Sequence, residues 1–375
     1  MKPTNLVKQL LLFTLILGCF FGVCSCETNN PKQDKTAFVT LKQAYQDYFP
    51  IGVAVSPSNL KDSLERALIL AQFSSITAEN VMKAGPIHPE IDRYNWEQAD
   101  QVANFARAHN LKLRGHALIW HQQYPTWFFK DQQGNQISKD TLYARMRSHI
   151  HTVMNRYKDV IYAWDVVNEA VSDSVHKTYR ESSPFYQIAG KEYLVKAFEF
   201  AKEADPEALL YYNDYNAVQP SKVNRIESLL EDLLQAGAPI DGVGIQGHWS
   251  IYEPSKEELT SALDLYSSLG LDIQITELDI SLYRWEKHQR PLREGENQGF
   301  TASLEQKQIA QYESIFEVFR NYKEVITGVT FWNLSDRYSW LDHYPVEGRK
   351  NYPLLFDTIL QPKKVYHKVV NFNQK

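Results

Sequence analysis

The chain has 375 residues, of which 43% are hydrophobic and 13% aromatic, and it carries a formal net charge of −5 at pH 7. This length provides one large domain or two ordinary ones, and the composition is typical of a well-packed globular protein. The mildly acidic charge excludes the basic surface that a nucleic-acid-binding protein needs, so we expect no nucleic-acid partner.

The first 25 residues are predicted to be an export signal rather than part of the fold. Lys2 and Lys8 form a basic start. Residues 10–23 then form an apolar run that is short for a bilayer span and typical of a signal peptide. We therefore expect the protein to be exported.

The signal ends in residues 23–26 (VCSC), which resemble a bacterial lipobox because a small residue precedes the cysteine to be lipidated. We expect the lipid on Cys26. This predicts a protein of the bacterial cell envelope, periplasmic or on the cell surface, that contacts the membrane only through its anchor. Cys19 is a second candidate, and signal cleavage without a lipid is the alternative interpretation.

Residues 26–36 (CETNNPKQDKT) are polar and are predicted to form a tether. No further linker composition follows, so residues 37–375 are assigned to one domain. All three cysteines lie within the first 26 residues. A chain that begins at Cys26 therefore has no disulfide and no cysteine-based metal site, and a domain of this size needs neither. We expect it to be a monomer.

Beyond the tether, a helical pattern, a short break and an apolar run recur at intervals of a few tens of residues. The helical spacing is clear at four places: 96–106, 194–201, 223–234 and 259–269. Eight apolar runs are predicted to be strands: 51–55, 75–77, 111–117, 161–167, 209–213, 243–246, 273–278 and 325–332.

This alternation predicts an α/β fold with a parallel sheet, because strands covered on both faces form continuous apolar runs. Eight units over about 340 residues favour a closed (β/α)8 (TIM) barrel over an open, doubly wound sheet. No Gly-x-Gly-x-x-Gly turn follows the first strand, which also argues against a dinucleotide-binding fold.

Polar residues close or follow seven of the eight predicted strands, at the end where such barrels hold their active sites. They are Glu79-Asn80, Gly115-His116, Asn168-Glu169, Asn213-Asp214-Tyr215, Gln246-Gly247-His248, Glu277 and Trp332. Glu169 and Glu277 form a candidate pair for glycoside hydrolysis, which needs one protonated carboxyl group and one carboxylate across the scissile bond. The spacing alone does not show that they face each other.

Two segments carry a resemblance to a known family. Residues 164–170 (WDVVNEA) resemble the acid/base segment of family 10 glycoside hydrolases, and residues 275–279 (ITELD) resemble the nucleophile segment. The similarity extends from about residue 49 to residue 357. It implies an endo-β-1,4-xylanase that acts on xylan and xylooligosaccharides with net retention, with Glu169 as acid/base and Glu277 as nucleophile. No cofactor or metal is expected.

The resemblance also implies substrate-binding residues, position by position. They are Glu79, Asn80 and Lys83 on the glycone side, His116 and Trp120 beside the cleaved sugar, Gln246 and His248 next to the two carboxylates, Trp332 and Trp340 as aromatic walls, and Asn168 and Tyr215. Asn168 would bond a sugar 2-hydroxyl. Asp279 projects the same way as Glu277 on a strand, and with His248 it would keep Glu277 ionised.

Several residues have simpler interpretations. Lys83 as a solvated surface lysine is one alternative. His116 could instead be a structural histidine held by hydrogen bonds, and this alternative is stronger for His121. A zinc site built from these two histidines would lack a third clustered ligand. Four tryptophans are assigned to packing or loops: Trp96, Trp127, Trp164 and Trp285.

Two stretches depart from the family pattern: residues 333–335 (NLS) after the last strand and the charged loop 284–300 after the seventh. Both lie near the expected cleft, so they concern fine specificity rather than the reaction. Two rival functions stay open. One is a barrel glycosidase that acts on β-1,4-glucan or cellooligosaccharides, and the other is a non-catalytic glycan-binding lipoprotein.

Overall fold

Eight parallel strands pair side by side and close into a barrel in the computed structural model, which describes residues 39–297 and 299–373. The strands are β1 (Ile51–Val55), β2 (Ser75–Ala78), β3 (Lys112–Gly115), β4 (Ile161–Asn168), β5 (Leu209–Asp214), β6 (Gly242–Ile245), β7 (Asp272–Ser281) and β8 (Ile326–Phe331). The barrel closes because β8 pairs with both β7 and β1. The predicted (β/α)8 barrel is therefore confirmed.

The predictions for the export signal, the tether and the lipid on Cys26 concern residues outside the described part of the chain. From Val39 onward the chain forms one compact unit. Among residues 39–297 and 299–373, no helix is both long enough and apolar enough to cross a membrane.

The strands are buried along most of their length because both of their faces are covered. Every residue of β1 and β2 is buried, as is every residue of β6. Side chains that alternate along such a strand point either into the barrel or towards the helices outside it, so no position is left to a polar, solvated residue.

Helices connect the strands and cover the barrel. Their bounds are Leu41–Ala44, Pro57–Lys61, Ser63–Gln72, Ala84–Ile87, Glu97–His109, Lys139–Tyr157, Pro184–Ala189, Glu192–Ala204, Pro220–Gln235, Lys256–Ser268, Ala302–Asn321 and Lys364–Val370. The four helices predicted from apolar spacing are present, and each of their ends lies within one to three residues of the predicted position. Ser138, Ser255 and Thr301 begin three of the helices, because their side chains accept a hydrogen bond from a backbone N–H of the first turn.

The two longest helices had no clear sequence pattern of their own. In Lys139–Tyr157 the buried face includes His149, and in Ala302–Asn321 it includes Gln308. A polar residue inside the buried face interrupts the apolar spacing on which a helix is recognised.

Two short strands extend the barrel above its mouth. Ile119–Trp120 pairs with the end of β4, so that Trp120 lies opposite Asn168. His248–Ser250 pairs with the end of β7, so that His248 lies opposite Asp279. The predicted strand 111–117 is shorter in the structure, where β3 begins at Lys112 and stops at Gly115. A Cβ added there would lie 2.2 Å from the Trp164 ring, so the close approach of these strands requires glycine.

Candidate active site

The two glutamates lie at the C-terminal mouth of the barrel, on strands β4 and β7. Glu169 follows the last residue of β4 with a φ of +57°, a left-handed conformation that is uncommon for a side chain of this size. Two hydrogen bonds hold the Glu169 backbone in this turn. The Glu169 N–H donates to the Asn213 carbonyl at 2.9 Å, and Arg180 Nε donates to the Glu169 carbonyl at 2.9 Å. These contacts with Asn213 and Arg180 therefore maintain the left-handed backbone conformation of Glu169 at the mouth of the barrel.

The Glu169 carboxyl group has one neutral donor at each oxygen. Trp120 Nε1 donates to Oε2 at 2.8 Å, and Gln246 Nε2 donates to Oε1 at 3.1 Å. The residue is 8% exposed. Neither donor is charged, and Glu169 forms no ion pair with another described residue.

The Glu277 carboxyl group has a different environment. Asn213 Nδ2 donates to Oε1 at 2.9 Å, and His248 Nε2 lies 3.2 Å from Oε2. The other ring nitrogen of His248 lies 2.9 Å from Asp279 Oδ2, which also accepts a bond from Trp340 Nε1 at 2.8 Å. His248 is therefore held between two carboxylates.

This arrangement fixes the charge of Glu277. Burial disfavours the imidazolium, yet Asp279 and Glu277 at its two nitrogens raise the pKa of His248 to about 10. Burial would raise the pKa of Glu277, but the hydrogen bond from His248 and the positive charges around it lower that pKa below its usual value. Glu277 is 5% exposed and ionised at neutral pH.

A chain of three amides joins the two glutamates. Asn213 Nδ2 also donates to Asn168 Oδ1 at 2.9 Å, and Gln246 Nε2 lies 3.4 Å from the same oxygen. Thr276 Oγ1 donates to Asn213 Oδ1 at 2.7 Å, which turns the Asn213 amide nitrogen towards Glu277. Asn168 Oδ1 is thus occupied, while Asn168 Nδ2 has no protein partner among the described residues and remains a donor for a ligand.

Glu79, Asn80 and Lys83, which follow strand β2, form a second cluster. Asn80 Nδ2 donates to Glu79 at 3.1 Å, and Lys83 Nζ donates to Asn80 at 2.8 Å. Lys83 is 7% exposed, so the alternative of a solvated surface lysine is wrong. Its ammonium lies 4.9 Å from the Trp120 ring centroid and 5.9 Å from that of Trp332.

Burial also sets the charges of this second cluster. It lowers the pKa of Lys83, against the attraction of Glu277, Glu79 and Glu169. It raises the pKa of Glu79, against the attraction of Lys83. Lys83 thus places a positive charge within the electrostatic reach of three carboxyl groups.

His116 is oriented from inside the barrel. Its Nδ1 lies 2.8 Å from Asp165 Oδ2, and Asp165 also forms a buried ion pair with Arg114. Burial would raise the pKa of Asp165, but Arg114 and His116 hold it below its usual value. An ionised Asp165 accepts a hydrogen bond from His116 Nδ1–H. The other ring nitrogen of His116, Nε2, is therefore not used by Asp165 and is available to a ligand in the mouth. The ring lies edge-on to Trp332, with centroids 5.4 Å apart.

Tyr215, predicted to bind substrate, is not joined to either glutamate by a hydrogen bond. Its hydroxyl donates to Asp173 and accepts from Arg180 Nη2 at 2.8 Å, and Lys222 Nζ lies 3.5 Å from its ring centroid. The residue of β5 that contacts Glu277 is Asn213, which was not among the predicted site residues. Its position at the polar end of a strand was the available signal.

The remaining histidine and tryptophan assignments are also resolved in part. His121 Nδ1 is buried without a hydrogen-bond partner in the described part of the chain, and burial lowers the pKa of this histidine to about 4. No group of three or more metal-ligating side chains occurs within residues 39–297 and 299–373. Trp164 is fully buried, whereas Trp285 is 42% exposed and lies 6.1 Å from the Trp340 ring.

The two stretches that depart from the family pattern have different local structures. Asn333 is buried and has a φ of +110°, a conformation that favours glycine. In the loop 284–300, Arg290 pairs with Glu286 and Glu296 on either side, and Arg349 pairs with Glu286 at 2.7 Å.

A groove of about 840 Å³ lies at the opposite end of the barrel. Its lining includes Phe49, Lys112 and Tyr162, which lie at the N-terminal ends of strands β1, β3 and β4. It contains neither glutamate. Because barrels of this kind carry out catalysis at the C-terminal ends of their strands, we assign the active site to the mouth with Glu169 and Glu277.

Comparison with known proteins gives a consistent result. A family model described as "Glycosyl hydrolase family 10" matches residues 40–372. The chain is 45% identical over 335 residues to "Endo-1,4-beta-xylanase A" of Caldicellulosiruptor saccharolyticus, a match that covers 89% of this chain and 96% of the relative. It is 44% identical over 335 residues to "Endo-1,4-beta-xylanase B" of Paenibacillus barcinonensis, with 89% and 98% covered. The crystal structure of xylanase XynB from Paenibacillus barcinonensis, complexed with a conduramine derivative, superposes with a TM-score of 0.84 at 44% identity, covering 89% of this chain and 99% of that one.

Proposed function

The chain belongs to glycosyl hydrolase family 10, and we propose from this membership and from the geometry of its mouth that it is an endo-1,4-β-xylanase. It hydrolyses internal β-1,4-xylosidic bonds of xylan and xylooligosaccharides by two displacements, with retention of the anomeric configuration. The observation that carries the proposal is the contrast between the two buried carboxyl groups: Glu277 faces an imidazolium, whereas Glu169 has only neutral donors.

This contrast assigns the two roles. Paired titratable groups whose environments differ take opposite parts in acid–base chemistry. Glu277, ionised by His248 and Asn213, attacks the anomeric carbon and forms a covalent bond to the glycone. Glu169 gives its proton to the glycosidic oxygen as the leaving chain departs. In the second displacement, Glu169 takes a proton from water, which attacks the same carbon and releases Glu277.

The surrounding residues hold the reacting sugar. The free Nδ2 of Asn168 donates to the 2-hydroxyl, a contact that strengthens as the sugar becomes oxocarbenium-like. Glu79, Asn80 and Lys83 bind hydroxyl groups on the glycone side. Trp332, Trp340, His116 and Trp120 enclose the sugar, and Asp279 holds both His248 and Trp340 in place.

Xylose as the preferred sugar is supported by the crowding of this end of the cleft. Xylose lacks the hydroxymethyl group that glucose carries at C5. Lys83 is buried against the rings of Trp120 and Trp332, which leaves little space for an extra substituent. A β-1,4-glucan specificity and a non-catalytic glycan-binding role are the alternatives, and parallel product analysis on xylan, cellulose and mixed-linkage glucan distinguishes all three.

We expect the sugar released first from a xylooligosaccharide to be the β-anomer. Two successive inversions at one carbon restore the starting configuration. Proton NMR of the anomeric region in the first minutes of hydrolysis, before mutarotation, measures this directly. An α-anomer as first product would mean that water attacks in the first step, and it would remove Glu277 from the role of nucleophile.

We further propose that the protein is exported and held at the bacterial cell envelope by a lipid on Cys26. The lipobox-like residues 23–26 and the apolar run 10–23 before them support this. Cells grown with an alkyne-tagged fatty acid should label the wild-type protein and the Cys19→Ala control, but not Cys26→Ala. Label that persists in Cys26→Ala and disappears in Cys19→Ala would move the anchor to Cys19.

A further inference from the structure

Two cations lie over one exposed aromatic ring at the rim of the mouth. Tyr252 is 42% exposed, and the guanidinium of Arg284 lies 4.3 Å from its ring centroid. Lys307 Nζ lies 5.6 Å from the same centroid. Both cationic side chains belong to exposed residues. With Trp285, which follows Arg284, we call these residues the cationic rim.

The charges of the cationic rim are not neutralised by the protein. Neither Arg284 nor Lys307 forms an ion pair within residues 39–297 and 299–373, whereas nearby Arg290 is bound by Glu286 and Glu296. Two positive charges on one ring repel each other, and an exposed cation–π contact contributes only about 0.5–1 kcal/mol to folding. The two cations therefore contribute little to the stability of the fold, and together they are well placed to bind an anion.

The cationic rim lies close to the reacting centre. Tyr252 is four residues beyond His248, a separation of at most about 13 Å along an extended chain. The Ile251 N–H donates to the Ser281 carbonyl at 2.9 Å, which keeps this segment beside the end of β7. Trp285 lies 6.1 Å from Trp340, the tryptophan that donates to Asp279.

Barrel topology indicates which part of the substrate reaches the rim. In a closed barrel of eight strands, β6 lies across the mouth from β2. Strand β2 carries the residues proposed to bind the glycone, and the cationic rim follows β6 and β7. A chain that crosses the mouth from the β2 side therefore brings its leaving-group portion towards the rim.

The Trp285 part of the cationic rim is held in place before any ligand binds. Glu286, immediately after Trp285, is fixed by Arg290 and by Arg349 at 2.7 Å. The Trp285 ring packs against Tyr344 as well as Trp340, with centroids 5.6 Å apart for Tyr344. A fixed aromatic surface contacts a ligand with little loss of conformational entropy.

We propose that the cationic rim binds a uronic acid side group carried by the leaving-group portion of a substituted xylan chain. Arg284 and Lys307 bind the carboxylate, and the exposed surface of Trp285 contacts the sugar ring. Arginine suits this role because its planar fork matches a carboxylate. This inference rests on the proposed xylanase function and adds a specificity site to it.

The test compares glucuronoxylan with the same polymer after its carboxyl groups have been reduced to alcohols, so that only the charge differs. The measured quantity is the ratio of kcat/KM on the two polymers. Arg284→Gln and Lys307→Gln should each lower this ratio by roughly fivefold, the effect of losing about 1 kcal/mol of exposed charge pairing. Raising the NaCl concentration should lower the wild-type ratio as well.

Lys112→Gln is the matched control, because Lys112 is also exposed and lies over an aromatic ring, that of Tyr162 at 5.3 Å, but at the opposite end of the barrel. Its ratio should equal that of the wild type. An unchanged ratio in the Arg284→Gln, Lys307→Gln double variant, or an equal fall in Lys112→Gln, overturns the cationic rim as a uronate site. Wild-type inactivity on both polymers would instead contradict the proposed function.

Discussion

Replacing Glu277 by alanine is expected to reduce turnover of every xyloside to below about 10⁻⁵ of the wild-type rate, because the attacking carboxylate is gone and no covalent intermediate forms. The loss should be the same on xylan and on an aryl xylobioside with an acidic phenol, since the quality of the leaving group cannot replace a missing nucleophile. Initial rates on both substrates measure this.

Glu277→Gln is the matched variant, because the amide keeps the size of the side chain and offers one oxygen to Asn213 or His248. It should be as inactive as Glu277→Ala, which separates loss of the charge from creation of a cavity. In Glu277→Ala, azide has room to attack the aryl xylobioside and to displace the phenolate in one step, giving an azide product of inverted configuration. Substantial activity of Glu277→Gln, or a retained azide product from Glu277→Ala, would contradict the nucleophile assignment.

Replacing Glu169 by alanine is expected to have effects that depend on the leaving group. On xylan, whose leaving hydroxyl is very basic, activity should fall by roughly 10²–10⁴-fold, the usual contribution of general acid–base help. On an aryl xylobioside with an acidic phenol, bond breaking needs little protonation, so the first displacement should survive. Stopped-flow measurement should then show a burst of phenol followed by slow release of the glycone.

Azide distinguishes this variant from the preceding one. With Glu169 absent, no base activates water, so the covalent intermediate on Glu277 accumulates. A small anion attacks it without such help, and turnover should rise with azide concentration to give an azide product of retained configuration. Equal losses on both substrates without a burst or rescue would mean that Glu169 is not the acid/base.

Much of the fold could be predicted from local patterns. The eight apolar runs each fit a strand with two covered faces, and the helical spacing at residues such as 223–234 is that of a helix with one buried face. These patterns depend only on which side chains are buried away from water, so they can be recognised in a single sequence. The helix Lys139–Tyr157 was not predicted, because its buried face includes His149, a polar residue whose burial depends on its neighbours.

The candidate site divides differently. Polar residues at strand ends, and the resemblance carried by residues 164–170 and 275–279, identify Glu169 and Glu277 from the sequence. They do not identify which donors each glutamate receives. Asn213 was not assigned to the site, because residues 213–215 lie at the same strand end and nothing local shows which of them contacts Glu277.

The sequence by itself thus determined the barrel, its family and the two carboxyl groups, because burial periodicity and short motifs are properties of neighbouring residues. Only the tertiary structure decided the charges and contacts of the site. Asn213 meets Glu277 across 64 residues of chain, and the two cations of the cationic rim meet on Tyr252 from separate elements. Such contacts depend on strand register and loop path, which long-range packing sets and no local pattern encodes.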